Sequence, residues 1–178
     1  MSLTRPSNAS HPYVVGVTSE TDDWVAITRV QRAYADVVNR RAWPELARLF
    51  RPDAVVRIDT VTRAPFELVG PDGVGDFVGT SLEQFAFFEF VILNAHIEID
   101  GDAARARVFI LEERQDHAGV RTQAYGLYRD AYARVDGAWW FARRDYTSLA
   151  RTASGTSTPA VLDVVTPAAA IAAGDVAR

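Results

Sequence analysis

The side chains of Tyr34, Asp59 and Glu112 could together perform proton transfer without a cofactor. A phenol can donate a hydrogen bond to an oxygen that gains negative charge, and a carboxylate held away from water can abstract a proton next to a carbonyl. Tyr34 falls on the apolar stripe of a predicted helix, Asp59 follows apolar positions of a predicted strand, and Glu112 continues a row of small and apolar residues. We therefore predict Tyr34 as the hydrogen-bond donor and either Asp59 or Glu112 as the base.

The stretch "FAFFEFVILNAHIEIDGD", residues 85–102, is typical of a long strand that ends in a turn. Strict alternation places Phe90, Asn94 and His96 on one face and Glu89 on the other, and His96 lies close to the turn. The Phe90 face then forms a mostly apolar pocket wall, although ordinary core packing is the alternative for its phenylalanines. The predicted substrate-binding residues are Asn39, Phe88, Phe90, Ile92, Asn94 and Tyr125.

Composition excludes several kinds of chemistry. The 178 residues include no cysteine, and every one of the 19 basic residues is an arginine, so neither thiol nor lysine nucleophiles are available. The three histidines do not have the spacing of a metal site, and no metal is expected. With a net charge of −4 and scattered arginines, a nucleic-acid partner is not expected. The chain has neither a signal-peptide core nor an apolar run of membrane-spanning length, so we expect a cytoplasmic protein with no membrane contact.

The elements that must position these residues follow from periodicity. Apolar residues at helical spacing from Ile27 to Val38 predict a first helix, capped by Thr21 or Asp22, and Pro44 suits the first turn of a short second helix. A third helix is predicted within residues 71–85. Short strands are predicted at residues 54–59 and 66–70.

Four longer strands follow, and turns at Asp100-Gly101, residues 116–119 and Asp136-Gly137 connect them into an antiparallel meander. Helices followed by a meander predict an α+β fold. We divide the chain into a mobile arm over residues 1–20, one domain over residues 21–150, and a flexible or loosely packed tail over residues 151–178.

Three segments in this order carry a family resemblance: "YADVVNRRAWPELARLFRPDAVV", "NAHIEIDGDAARAR" and "GLYRDAYARVDGAWWFARR". The chain resembles the SnoaL-like branch of the nuclear transport factor 2-like superfamily, which includes polyketide cyclases, ketosteroid isomerases and scytalone dehydratases. The resemblance implies a cone-shaped barrel, in which about three N-terminal helices close a strongly curved, mostly antiparallel sheet. It also implies a homodimer through the outer sheet face, in agreement with the aromatic residues Trp139 and Trp140 on opposite faces of the last strand.

The resemblance also implies positions for catalytic groups. Tyr34 matches a tyrosine of the catalytic members, whereas Asn39 stands at their aspartate position and Phe90 at their histidine position. The base of the ketosteroid isomerases falls here on Ile58 or, with a shift of one residue, on Asp59.

Two functions therefore remain open. The first is cofactor-free isomerisation, dehydration or cyclisation of a small apolar organic molecule. The second is a non-catalytic ligand-binding or interaction module, which Asn39 and Phe90 favour because neither titrates. The small subunit of a ring-hydroxylating oxygenase, which has the same fold, is a third and weaker alternative.

Overall fold

The structure, a computed structural model, describes residues 19–152 and 160–161. All but residues 19 and 20 of the predicted N-terminal arm, and most of the predicted tail, lie outside these ranges, so the division into arm, domain and tail stays a prediction. The elements are α1 Glu20–Arg40, a 3₁₀ helix Trp43–Arg48, β1 Phe50–Asp59, β2 Phe66–Val69, α2 Gly70–Leu82, β3 Phe85–Asp100, β4 Ala103–Asp116, β5 Arg121–Val135, β6 Ala138–Arg151 and β7 Ala160–Val161.

The first helix begins at a capping box formed by Ser19 and Asp22. The Ser19 hydroxyl accepts from the Asp22 N–H at 3.1 Å, and the Asp22 carboxylate accepts from the Ser19 N–H at 3.2 Å. Each side chain satisfies a backbone donor that the helix itself leaves unpaired. The cap is therefore Ser19 and not Thr21 or Asp22. The predicted apolar stripe is confirmed, since Ile27, Tyr34 and Val38 are all buried.

The strands form one mixed sheet in the order β2-β1-β6-β5-β4-β3, and β7 adds to β6. Strands β3 to β6 pair as the predicted antiparallel meander, while β1 pairs parallel to β6. The α+β class is confirmed. Closure of the sheet into a barrel is not confirmed. Strands β2 and β3 are the two ends of the strand order, so the sheet is open over the described residues. The cone shape stays a prediction.

The prediction of about three N-terminal helices is not confirmed as stated. The second is a six-residue 3₁₀ helix with Pro44 in its first turn, and the third, α2, lies between β2 and β3. Strand β1 begins at Phe50, four residues earlier than predicted, and Pro52 lies within it. No helix in the described ranges is both long enough and apolar enough to cross a membrane.

Bulges in the meander decide which side chains face the helices. In β3 the pairing with β4 shifts between Ile92 and Asn94, so Leu93 is an extra residue. One extra residue reverses the alternation beyond it. Ala95, Ile97 and Ile99 therefore pack against the core, whereas Asn94 and His96 are exposed. The prediction that Asn94 and His96 share the face of Phe90 is wrong for this reason.

Candidate functional site

A cavity of about 390 Å³ lies between α2 and the helix-facing side of the sheet. This volume is within the range of small-molecule sites. Its walls are largely aliphatic and aromatic, with contributions from α1, α2 and strands β1 to β6. Its ionisable or phenolic lining residues are Tyr34, Arg63, Glu112, Arg114, Tyr128, Tyr146 and Arg151.

Tyr34 lies on the buried stripe of α1 and lines this cavity. Its ring meets the rings of Phe90 and Tyr128 edge-on, at centroid distances of 5.6 and 6.4 Å. Burial raises the pKa of the Tyr34 phenol, and the nearby Arg144 charge offsets part of this effect. The phenol therefore stays neutral in the physiological pH range, and its O–H can donate a hydrogen bond to a ligand.

Two more tyrosines line the cavity that were not predicted as site residues. Burial raises the pKa of Tyr128 well above its usual value and also raises the pKa of Tyr146. The Tyr146 hydroxyl is buried, and the Ser148 side chain is its polar neighbour. Its ring passes close to Gly126, where an added Cβ would lie 2.4 Å from Tyr146 Cε2. Gly126 has no side chain and therefore leaves space for the Tyr146 ring. This glycine is the signal in the sequence for the position of the ring.

A buried ion pair lies behind the tyrosines. Arg144 donates to both oxygens of Asp130, from Nε and Nη2, at 2.7 Å each. Tyr132 donates to the same carboxylate at 2.8 Å and accepts from Gln31 at 3.1 Å. Burial also raises the pKa of Tyr132 well above its usual value. Asp130 and Arg144, which are paired residues of β5 and β6, thus form a buried ion pair.

The Arg144 guanidinium also stacks on the rings that form the cavity floor. Its Cζ lies 4.3 Å from the Tyr34 ring centroid and 4.1 Å from that of Tyr128. A cation over an aromatic face is attracted by the ring quadrupole, most strongly where water is excluded. Arg144 therefore holds both phenols in place, while Asp130 neutralises its charge.

Glu112 is the carboxylate that the structure places in the cavity wall. It lies opposite Phe90 in the β3–β4 ladder and forms an ion pair with Arg114. The Nε and Nη2 of Arg114 both contact Oε2 of Glu112. Oε1 accepts no hydrogen bond from the described residues, so this oxygen is available to a ligand.

The other predicted base, Asp59, does not line the cavity. Its carboxylate accepts from Arg57 at 3.0 Å and from the Val61 N–H at 2.9 Å. Alternation along β1 explains the placement, because Val56 and Ile58 face the cavity and Asp59 points to the opposite side. The family resemblance placed the base at Ile58 or Asp59, and of these two residues the apolar Ile58 lines the cavity.

Among the predicted substrate-binding residues, Phe88 and Phe90 line the cavity, and the other four do not. Asn39 instead connects α1 to β3: its Nδ2 donates to the Phe90 carbonyl at 3.1 Å and its Oδ1 accepts from the Phe90 N–H at 2.7 Å. Ile92 and Asn94, which flank the extra residue Leu93 in β3, are also outside the lining. Tyr125 pairs with Leu111, on the opposite face of the sheet from Glu112.

The histidines contribute nothing to the cavity in the described part of the chain. His96 is exposed and contacts Glu98 at 3.0 Å, and His117 contacts the Glu83 carbonyl at 2.9 Å. Within residues 19–152 and 160–161 there is no cluster of three His, Cys, Asp or Glu side chains that could hold a metal ion. The cavity therefore offers phenols, one carboxylate and arginines, together with the hydroxyls of Thr60, Thr62 and Ser81 and the amide of Gln84.

Comparison with known proteins identifies a matching sequence family and a relative that covers most of this chain. The sequence model of the family described as SnoaL-like domain matches residues 19–145. The uncharacterized protein Rv2910c of Mycobacterium tuberculosis is 29% identical over 133 residues, which cover 71% of this chain and 85% of the relative.

Two solved structures from Novosphingobium illustrate the shared fold. A putative scytalone dehydratase from N. aromaticivorans has a TM-score of 0.65 at 22% identity, over 81% of this chain and 94% of that one. The hexachlorocyclohexane dehydrochlorinase LinA-type3 from N. barchaimii has a TM-score of 0.64 at 19% identity, over 79% and 91%. At these identities the likeness concerns the fold alone.

Proposed function

Because this chain belongs to the SnoaL-like domain family, we propose that its cavity binds a small, mostly apolar organic carbonyl compound and catalyses proton transfer on it without a cofactor. The observation that supports this most directly is the presence of one carboxylate, Glu112, in the same cavity wall as the phenols of Tyr34 and Tyr128. A base and hydrogen-bond donors that converge on one apolar cavity are the minimum set for enolate chemistry.

In the proposed reaction, Oε1 of Glu112 takes a proton from the carbon next to the carbonyl. The electron pair of the broken C–H bond forms a C=C bond, and the carbonyl oxygen becomes an enolate oxygen that accepts a hydrogen bond from Tyr34. In an isomerisation, Glu112 returns the proton to a different carbon. In a dehydration, the proton passes to a β-hydroxyl group, which leaves as water. A cyclisation uses the enolate carbon to attack a second carbonyl of the same molecule.

The test is a screen of β,γ-unsaturated ketones and β-hydroxy ketones with apolar rings. On an accepted substrate, Glu112→Gln should lower kcat by roughly 10²–10⁴ fold because it removes the base. Tyr34→Phe should lower it by roughly 10²–10³ fold because it removes one oxyanion donor. Asp59→Asn is the matched control and should leave kcat unchanged, because Asp59 is outside the cavity. Equal kcat in wild type and Glu112→Gln would contradict the proposal.

One observation favours the non-catalytic alternative. Glu112 is already paired with Arg114, and an apolar side chain, Phe90, lies opposite it where the family resemblance implies a histidine. A binding module would retain tight ligand binding with no turnover above the buffer rate, and Glu112→Gln would then change affinity alone.

We also propose that the chain forms a homodimer through the sheet face that carries Trp140. Trp139 belongs to the core, whereas the neighbouring Trp140 lies outside it and remains half-buried. Light scattering on wild type and Trp140→Glu tests this: a wild-type dimer that the substitution converts to a monomer is expected. An unchanged mass in Trp140→Glu would exclude this face as the interface.

A further inference from the structure

The positive and negative charges of the side chains that line the cavity do not cancel. The charged residues are one glutamate, Glu112, and three arginines, of which Arg114 is paired with that glutamate. Arg63 and Arg151 form no ion pair with a carboxylate of the described residues. Arg63 lies over the Phe66 ring at 5.2 Å, and Arg151 donates from Nε to Ser148 at 3.0 Å. Two positive charges therefore border the cavity without a counter-charge in the described ranges.

The topology places these two arginines at the same end of two neighbouring strands. Strands β1 and β6 run parallel, and Asp59 pairs with Thr147. Arg63 is four residues beyond Asp59, the last residue of β1, and Arg151 is the last residue of β6, so both lie at the carboxyl ends of neighbouring strands. Both side chains then reach the same cavity.

The register also relates Arg151 to Glu112. Glu112 pairs with Ala124 on β5, and Ala124 pairs with Arg151 on β6. Since neighbouring strands lie about 4.8 Å apart, the backbones of Glu112 and Arg151 are roughly 10 Å apart along this row. A ligand with one or two rings can span that distance.

The positive charges act on the interior of the cavity as well as on its border. Burial and the nearby Glu112 carboxylate raise the pKa of the Tyr146 phenol, whereas the charges of Arg114 and Arg151 each act to lower it. An attraction that reaches a buried phenol also acts on an anionic group of a ligand beside it.

We propose that the natural ligand is an organic anion: an apolar, ring-containing molecule with one carboxylate, which Arg151 and Arg63 bind while the rings lie against Phe88 and Phe90. The guanidinium fork matches a carboxylate in two parallel hydrogen bonds, which suits arginine to this role. This inference rests on the proposed function, since it specifies the class of substrate for the same cavity.

The test compares matched charged and neutral probes by isothermal titration calorimetry. Cyclohexanecarboxylate, benzoate and 2-naphthoate are each titrated beside the corresponding carboxamide, which has the same shape and no charge. At least one carboxylate should bind wild type about tenfold more tightly than its amide, as expected for hydrogen bonds to a charged group. Arg151→Gln and Arg63→Gln should each remove much of that difference and leave the amide affinity unchanged. Arg121→Gln, an exposed arginine outside the cavity, is the control and should change neither.

The outcomes separate the two ideas. If the amides bind as tightly as the carboxylates, the inference about charge is wrong and the proposed apolar pocket stands. If the carboxylates bind more tightly in every variant alike, the anion is held elsewhere and the inference is again wrong. If no probe of either kind binds, both the inference and the proposed pocket are wrong. Higher salt should weaken the carboxylates selectively, because screening acts on charge.

Discussion

Replacement of Asp130 by asparagine should destabilise the protein far more than a similar change at the surface. The Asp130 carboxylate accepts two hydrogen bonds from Arg144 and one from Tyr132, all between 2.7 and 2.8 Å. Asparagine keeps the shape of the side chain but removes its charge and turns one acceptor into a donor. The Arg144 guanidinium, only 2% exposed as a residue, then has no counter-charge among three aromatic rings.

Removing one partner of a buried ion pair typically costs about 3–5 kcal/mol of folding free energy. A domain of this size is stable by about 5–15 kcal/mol, so most of the variant should remain folded and measurable. Urea unfolding followed by tryptophan fluorescence gives the free energy of unfolding and the slope m. Asp102→Asn is the control, because Asp102 bonds an arginine too but is 81% exposed. Its loss should be far smaller.

A double-mutant cycle distinguishes charge from packing. Arg144→Met removes the charge and keeps much of the volume, so Asp130→Asn combined with Arg144→Met should cost less than the sum of the two single changes, by about 2–3 kcal/mol. A loss below about 1 kcal/mol in Asp130→Asn, with m unchanged, would refute the reasoning, because it would show that the buried guanidinium does not need its counter-charge.

Two further predictions concern single contacts, and a third concerns the buried tyrosines. Gly126→Ala should cost about 1–3 kcal/mol in urea unfolding, because the new Cβ meets the Tyr146 ring; a variant as stable as wild type would contradict this packing. Asn39→Ala should cost about 1–3 kcal/mol and speed hydrogen exchange of the Phe90 amide, since that amide loses its acceptor; unchanged exchange would argue against the connection between α1 and β3. The four buried tyrosines have raised pKa values, so the folded state holds its phenolic protons at a pH where the unfolded state loses them. Stability should therefore be unaffected by these groups below about pH 10 and fall above it, by up to about 1.4 kcal/mol per pH unit for each tyrosine; urea midpoints from pH 9 to 11 that stay level would contradict the shifts.

Local rules were sufficient to predict most of the fold from the sequence. The Asp136-Gly137 turn has both residues at positive φ, 51° and 78°, as this dipeptide requires in a tight hairpin. The pairing of β5 with β6 shifts between Tyr125 and Gly126, and a glycine within a strand often marks such an irregularity. The extra residue at Leu93 had no such signal, because neither glycine nor proline marks it. A bulge of this kind depends on tertiary packing, and it reversed the predicted faces of Asn94 and His96.

The site was harder to predict than the fold for a related reason. Alternation gave the correct face for Glu112 and Phe90, because Phe90 lies between the two bulges of β3 and the strand of Glu112, β4, has no extra residue. Tyr128 and Tyr146 could not be assigned to the cavity from single strands. Their position depends on the β5–β6 register, which places the two rings side by side at 5.3 Å, and on the space above Gly126. Register between strands is a property of pairs of segments, and one segment read alone does not contain it.

The pairing of Glu112 with Arg114 connects the two proposals. If Glu112 takes a proton from a substrate, it becomes neutral and Arg114 loses its counter-charge while remaining 17% exposed at the side chain. An unpaired guanidinium in a largely apolar cavity is unfavourable, so this step would be slow for a neutral substrate. A substrate carboxylate bound among the cavity arginines would supply a negative charge at that moment. The enolate formed in the same step adds a second negative charge close to Tyr34. On this reasoning, the anionic group of the ligand contributes to proton transfer as well as to binding, and a neutral analogue should lose kcat in addition to affinity.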